Sequence, residues 1–281
     1  MSGTLYIVST PIGNLEDITL RALRTLKEVD LVAAEDTRVT RKLLSHFDIH
    51  TPLTSYHQHT HGEKEENLVD RLLAGQSIAL VSDAGTPGIS DPGANLITLA
   101  LSHGVTVTPI PGACAALAGL VVSGLSASRF AFEGFPPRGR SDRREFFAEL
   151  STEPRTLLLY EAPGRVLETL QDLYRALGDR PIAVARELTK MFEEVYRGTL
   201  SGAVTAVGEK RPRGEYVLVV GGSPAAPPAS STEDDIDALK SALQACLDSG
   251  VSPRDAVHQV SAKLKLPRRY VYSTLLEITG R

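Results

Sequence analysis

The sequence predicts an α/β protein: two successive α/β domains followed by a small helical appendage. Three observations carry this. Short apolar runs that read as buried strands alternate with segments of helical periodicity up to Val220, the pattern of mostly parallel sheets with helices on their faces. The stretch Gly221–Asp235 (GGSPAAPPASSTEDD) then breaks the alternation with a Pro/Ala/Ser composition that resists packing. Beyond it lie only three short helical segments. The expected organisation is residues 1–114, residues 115–222, a linker at 223–235 and a helical segment at 236–281.

Leu5–Val8 (LYIV) reads as a buried strand running into the loop Ser9–Asn14. Ile18, Leu20, Leu23, Leu26 and Val29 recur at helical spacing, which predicts a helix over Asp17–Val29 with Asp17 or Thr19 as cap. Leu31–Ala34 is the next strand, completing a β-loop-α-β start. Helices follow over Glu65–Leu73 and Asn95–Leu101, with strands at Ser77–Val81 and Val105–Val107. Pro111 at a first-turn position starts an apolar helix, Ala113–Val122, that Gly124 ends. In the second domain Thr156–Tyr160, Ile182–Ala185 and Tyr216–Val220 are strands and Val166–Leu177 a helix. Glu187–Leu200 is a helix or loop closing in a short strand. The appendage reads as helices Ile236–Leu247, Arg254–Lys263 and Arg269–Ile278.

The most informative local features are two Gly/Pro-dense loops after strands, Ser82–Gly93 (SDAGTPGISDPG) and Pro109–Ala115 (PIPGACA). Such loops let backbone amides and carbonyls approach a ligand closely, and in open α/β sheets ligands bind at the carboxyl ends of strands. Neither GxGxxG after the first strand nor GxxxxGK[ST] anywhere is present, so both phosphate cradles of nucleotide cofactors are missing. The expectation is a cofactor without a pyrophosphate, of which S-adenosylmethionine is one. As tight turns, the same loops would be purely structural.

His57, His59 and His61 alternate in SYHQHTHG, one face of an extended strand; with no Cys nearby and no fourth ligand, polar lining of a cleft suits them better than a metal site, and none is expected. Pro136–Arg144 (PPRGRSDRR) holds four Arg and one Asp in nine residues. Guanidinium forks match phosphate geometry, so an anionic polymer is a candidate substrate. Residues 254–281 agree, with six Arg/Lys against two Asp/Glu inside a chain of net charge −4. Glu161, Arg165, Arg186, Glu187, Lys190, Glu193 and Glu194 crowd the ends of second-domain strands, where they suit substrate binding and proton transfer as well as plain surface. Two cysteines, Cys114 and Cys246, are too few for a disulfide framework. No stretch has signal-peptide or transmembrane character, and the expected location is the cytoplasm with no membrane partner.

These motifs together resemble the tetrapyrrole-methylase superfamily, the class III S-adenosylmethionine-dependent methyltransferases of two α/β domains. The resemblance rests on Ser9–Asp17 (STPIGNLED), Ala34–Arg38 (AEDTR), the two Gly/Pro loops, Tyr160–Pro163 (YEAP) and Arg186–Lys190 (RELTK), and spans the two-domain body. Within the superfamily it points to bacterial enzymes that methylate the ribose 2′-hydroxyl of a decoding-centre cytidine in 16S rRNA. It implies S-adenosylmethionine as cofactor, a small ribosomal subunit as partner and a homodimer.

The cofactor residues so implied are Pro11, Ile12, Asp83, Ala84, Gly85, Thr86, Pro87, Ile89, Gly112, Ala113, Cys114, Ala115 and Tyr160. Gly85-Thr86-Pro87 stands for the family's Gly-Asp-Pro turn, with Asp83 as the neighbouring carboxylate. Cys114 stands where Ser is usual and Gly164 where many relatives have His. Glu187, Glu161 and Lys190 are the implied candidates for the catalytic base. Arg138, Arg140, Arg143, Arg144, Lys263, Lys265, Arg268 and Arg269 are the candidates for RNA contact. Two other readings are a C-methyltransferase of uroporphyrinogen or precorrin, which needs no basic tail, and a non-catalytic RNA-binding assembly factor that keeps the fold.

Overall fold

The computed structural model describes residues 2–57, 62–209, 211–224, 233–264 and 266–279, the side chains of 233–235 and 269 excepted. Residues up to 150 together with Thr156–Gly221 form one compact unit, and Ser151–Arg155 with the chain from Gly222 onward a second.

The larger unit holds two five-stranded sheets. The first contains β1 (Thr4–Val8), β2 (Leu31–Ala34), β3 (Leu53–Ser55), β4 (Ile78–Val81) and β5 (Thr106–Ile110), in the order β3-β2-β4-β1-β5 and parallel throughout. β2 and β4 are buried at every position, which is why they read as unbroken apolar runs rather than alternating ones. One face is covered by α1 (Leu20–Glu28) and α2 (Thr37–His46), whose Ala22, Leu26 and Leu44 pack on Val8, Val32 and Val81. The other is covered by α3 (Glu63–Leu73) and α4 (Ala94–Ser102) through Leu68, Leu72 and Leu96.

Thr19, not Asp17, caps α1, its side chain accepting from the Ala22 N–H. A short 3-10 turn, Leu15–Asp17, precedes it. α2 and β3 are elements that the periodicity did not single out. β3 ends at Ser55, so His57 lies in a loop rather than on a strand, and His59 and His61 lie outside the described residues. Among the described residues no three His, Cys, Asp or Glu side chains group as a metal ion would require.

α5 (Ala115–Ser123) starts four residues after Pro111, which therefore stays in the loop instead of opening the helix. The helix is apolar because it packs on the second sheet, Ala116 and Leu120 sharing a core with Leu158, Val217 and Val219.

That sheet consists of β6 (Phe130–Gly134), β7 (Thr156–Glu161), β8 (Pro181–Arg186), β9 (Glu194–Thr199) and β10 (Tyr216–Val220), in the order β6-β7-β10-β8-β9. Only β6 and β7 pair in parallel; β10 runs antiparallel to both its neighbours, and β8 and β9 are antiparallel. The mostly parallel expectation thus describes the first sheet and not the second. α6 (Arg140–Glu149), α7 (Val166–Leu177) and α8 (Leu200–Gly208) complete the unit; Phe147, Leu170, Leu173 and Ala203 join one apolar cluster with Leu157 and Leu218.

The smaller unit contains α9 (Glu233–Asp248), α10 (Pro253–Leu264) and α11 (Arg268–Thr279), built around Leu239, Leu243, Val260, Val271 and Leu275. Among the described residues no helix is long and apolar enough to cross a membrane.

Candidate active site

The site grows from the loops that leave β1, β4 and β5 at their carboxyl ends. Thr10 and Gly85 join the first two loops by a backbone bridge: the Thr10 N–H donates to Gly85 O at 2.8 Å and the Gly85 N–H to Thr10 O at 3.1 Å. Ser9 Oγ lies 2.9 Å from Thr86 Oγ1, which also donates to Ala113 O at 3.3 Å and so ties in the third loop. Gly112 lies directly against Ser9. A Cβ at Gly112 would stand 2.9 Å from the Ser9 Cβ, so the two loops close this tightly only around glycine.

These loops and the strand ends of the second sheet enclose a cavity of about 450 Å³, a volume ordinary for a small-molecule or cofactor site. Ile12, Ala84, Ile89, Leu188 and Val217 make its apolar surfaces. Tyr160 stands in the wall with Phe132 and Phe135 edge-on to its ring, at centroid distances of 5.0 and 5.5 Å. Its hydroxyl accepts from the Ala116 N–H in the first turn of α5 at 3.0 Å. The Cys114 thiol is hydrogen-bonded to the same hydroxyl, and burial, with Cys114 adding to it, holds the phenol above its usual range. Cys114 therefore gives no cap to α5. A Cβ on Gly164 would meet nothing within 4 Å.

Several carboxylates reach the cavity. Glu35, Asp83, Asp91 and Glu215 all line the cavity. The Asp36 N–H donates to Asp83 Oδ1 at 3.0 Å and the Asp83 N–H to Glu35 Oε2 at 3.3 Å. Burial raises the pKa of Glu35 and of Asp83, although each accepts a backbone N–H that works the other way. Asp91 is moved furthest, up to about 6: burial is the main cause, the negative charges of Glu35, Asp83 and Glu215 add to it, and a hydrogen bond with Ser82 opposes it. The preceding residue, Ser90, has φ +62°, a left-handed conformation unusual outside glycine.

The loop between β8 and β9 joins this group through Glu215. Lys190 Nζ donates to Glu187 Oε1 at 2.8 Å and to Glu215 Oε2 at 3.0 Å. Glu187 Oε1 also accepts the Glu215 N–H at 3.0 Å. The hydrogen bond from Lys190 is the main reason that Glu187 lies below the usual carboxylate range. Burial works to lower Lys190, but the two carboxylates outweigh it and the net shift is upward. The Lys190 stem passes over Gly13 so closely that a Cβ there would stand 2.3 Å from Lys190 Cγ. Glu187 (φ +51°) and Thr189 (φ +68°) both hold left-handed backbone, strain that concentrates where a loop is positioned for function.

Of the cofactor residues expected from the sequence, Ile12, Asp83, Ala84, Gly85, Thr86, Ile89, Cys114, Ala115 and Tyr160 line the cavity. Pro11, Pro87, Gly112 and Ala113 do not; Gly112 and Ala113 hold the loops together instead. Lys190 and Glu161 line it as well, whereas Glu187 acts on Lys190 from outside the lining. Glu161 is only 1% exposed, and its oxygens accept from the Ala162 N–H at 2.8 Å and the Thr169 hydroxyl at 2.6 Å, with Arg165 3.3 Å away. So engaged, it anchors the start of α7. Asp91, Glu35, Glu215, Phe135 and Leu188 are lining residues that sequence reasoning missed. The Asp-Pro-Gly that ends the β4 loop was the available signal for Asp91.

The arginines of Pro136–Arg144 divide. Arg138 and Arg140 are exposed, and Arg165 fixes the base of their loop by donating to Pro136 O at 2.8 Å and Pro137 O at 3.0 Å. Arg143 corrects the expectation of an RNA contact: it is 2% exposed and donates to Asp172 Oδ2 at 2.8 Å, closing a buried ion pair. Arg144 is half-exposed and shares Asp172 at 3.2 Å. In the smaller unit Lys263 and Arg268 are exposed, while Lys265 and the Arg269 side chain lie outside the described residues.

The group that this cavity suits carries a positive charge and has both apolar and polar surfaces. Its walls combine apolar side chains with partly exposed carboxylates that gain from a positive partner, and the sequence motifs that cradle a pyrophosphate are missing. S-adenosylmethionine fits on each count.

Comparison with known proteins bears on the same point. The profile of the Tetrapyrrole (Corrin/Porphyrin) Methylases matches residues 4–204. The chain is 48% identical over 277 residues to a Synechocystis protein named ribosomal RNA small subunit methyltransferase I, covering 98% of each. A Bacillus subtilis protein of the same name is 42% identical, over 96% of this chain and 93% of that relative. Among solved structures, the uroporphyrin-III C-methyltransferase of Thermus thermophilus in complex with S-adenosyl homocysteine aligns at TM-score 0.54 and 25% identity, covering 78% of this chain and 97% of the other. The chain belongs to the tetrapyrrole (corrin/porphyrin) methylase family of S-adenosylmethionine-dependent methyltransferases.

Proposed function

We propose that the protein methylates small-subunit ribosomal RNA, transferring a methyl group to the ribose 2′-hydroxyl of a decoding-centre cytidine in 16S rRNA, in the cytoplasm and as a homodimer. The observation that carries the reading is end-to-end similarity to relatives named for the small-subunit reaction, at 48% identity over 98% of both chains. The likeness to the uroporphyrin enzyme is weaker at 25% identity and leaves 22% of this chain unmatched, which favours RNA over a tetrapyrrole.

When bound, S-adenosylmethionine supplies a methyl group already activated on a positive sulfur, so the protein's work is mainly orientation, an effect of roughly 7–11 kcal/mol when complete. Ile12, Ile89, Leu188 and Val217 provide the apolar surfaces that hold the donor and exclude water. Glu35 and Asp83, which line the same cavity, would offset its positive charge. Asp91 lines the same cavity, and its carboxyl, raised to about 6 and ionised at neutral pH, would be the acceptor for the proton of the ribose 2′-hydroxyl.

Glu187 and Lys190 make a poor base pair for that step. Each is held in its charged form by the other. Lys190 instead presents a permanent cation at the cavity wall, where it orients an incoming phosphate. Glu161 positions α7. Arg138, Arg140 and the basic residues of α10 and α11 supply further contacts to the RNA backbone.

The test is transfer of labelled methyl to small ribosomal subunits that lack the modification, followed by mapping of the labelled nucleotide. Label on a single decoding-centre cytidine ribose supports the reading. Label on a base, or on uroporphyrinogen in place of RNA, refutes it.

A further inference from the structure

The two faces of the first sheet carry opposite charge. α1 (LRALRTLKE) and α2 (TRVTRKLLSH) together hold six Arg/Lys and one acidic residue. α3 (EKEENLVDRLL), on the other face, holds four acidic residues and two basic. In a chain of net charge −4 such segregation needs a reason beyond solubility.

α2 concentrates the positive side. Thr40 and Leu44 turn toward the sheet, and Arg38, Arg41, Lys42, Ser45 and His46 stand along the opposite face around one shallow concavity. Arg38 is paired with Asp36 at 2.6 Å. Among the described residues no carboxylate lies within ion-pairing distance of Arg41 or Lys42.

The position of this face gives it meaning. Glu35 lines the cavity, and Asp36, whose N–H donates to Asp83 of the cavity wall, is the N-cap of α2. The basic face therefore begins at Arg38, three residues after the lining residue Glu35, and continues along α2 for about 12 Å at 1.5 Å per residue. Carboxylates inside the cavity suit a cationic donor; the basic face just outside suits a polyanion arriving at the same place.

We infer that Arg41 and Lys42, with Arg38 and His46 beside them, form a docking surface for the backbone phosphates of the RNA strand flanking the methylated nucleotide. The surface acts by charge and positions the strand without reading its sequence. It involves neither Arg138 nor Arg140 and no residue of α10 or α11. The inference rests on the RNA reading proposed above.

The experiment compares the wild-type chain with an Arg41→Glu/Lys42→Glu double variant and with the neutral Arg41→Gln/Lys42→Gln variant. Affinity for unmodified small subunits is measured by filter binding across a salt series, and S-adenosylmethionine binding by calorimetry. The expected result is unchanged donor binding, with subunit affinity reduced about tenfold or more for the reversed pair and less for the neutral pair. The salt slope should be shallower by roughly 0.7–0.9 for every phosphate no longer engaged. Equal affinity and slope in the neutral variant overturn the inference. So does a fall in affinity with an unchanged slope, which would mark contact with a ribosomal protein in place of phosphate. Failure of the wild-type chain itself to bind or methylate any subunit instead sinks the RNA reading, and this surface with it.

Discussion

Asp91 sets a pH dependence whose sign is fixed by its surroundings. Its pKa in the folded chain is about 6 against an ordinary value of 3.8, so the folded state binds its proton more tightly than the unfolded state does. Stability therefore falls as pH rises from about 4 to about 6, and the deficit persists above that. Replacing Asp91 by Asn removes it. Urea denaturation at pH 7.5 is expected to show the Asp91→Asn chain at least as stable as wild type, with no such advantage near pH 3.5, while methyl transfer falls by about 10²-fold or more. In wild type, transfer measured at low donor concentration rises with pH through about 6. A flat profile between pH 5 and 7 would remove Asp91 as the base. Gly13 offers a second check, on Lys190. A Cβ at Gly13 would press on the lysine stem at 2.3 Å, so Gly13→Ala should dislodge the ammonium from Glu187 and Glu215. Its effect is expected chiefly on the KM for RNA, with donor binding retained.

At the scale of elements, α6 shows how an arginine-rich segment is resolved by its helix. Arg143 and Phe147, four residues apart, share the inner face, and Arg143 meets Asp172 of α7 there, while Arg140 stays outside. Removing Arg143 takes two hydrogen bonds from buried Asp172 but leaves Arg144 at 3.2 Å and Arg175 at 2.9 Å, so Arg143→Ala should cost about 1–3 kcal/mol in a denaturation curve. Arg140→Ala should stay within about 0.5 kcal/mol. From the sequence these two arginines looked alike, because the difference depends on Asp172, a residue of another helix. Val166–Leu177, Leu31–Ala34 and Tyr216–Val220, by contrast, were legible to their ends, since burial on one helical stripe or on both strand faces writes itself into local periodicity. α8 (LSGAVTAVG) was not, because two glycines and three β-branched residues give it weak intrinsic propensity; packing against α7 holds it helical. The site divides the same way. Its Gly/Pro loops announced themselves, but Glu35, Asp91 and Glu215 come from three distant parts of the chain, and only the fold shows them lining one cavity.

For the whole molecule, the question is what each compact unit contributes. The cavity is lined entirely from the larger unit, and the smaller has an apolar core of its own around Leu239, Val260 and Val271. Donor binding and substrate grip should therefore separate on truncation. A chain ending at Ser223 keeps every lining residue, and keeps the hydrogen bond from the Ser223 N–H to Glu153 O. It is expected to fold and to bind S-adenosylmethionine with an unchanged dissociation constant by calorimetry. It lacks Lys263 and Arg268 along with the other basic residues of the tail, and each phosphate left without its cation weakens RNA binding and flattens its salt dependence. Single-turnover methyl transfer to unmodified subunits should accordingly require at least about tenfold more substrate to saturate, with the rate at saturation little changed. A truncated chain that saturates at the wild-type concentration would mean that Arg138, Arg140 and α2 suffice to hold the RNA. One that binds donor and saturates normally but turns over slowly would place the smaller unit's role in the chemical step.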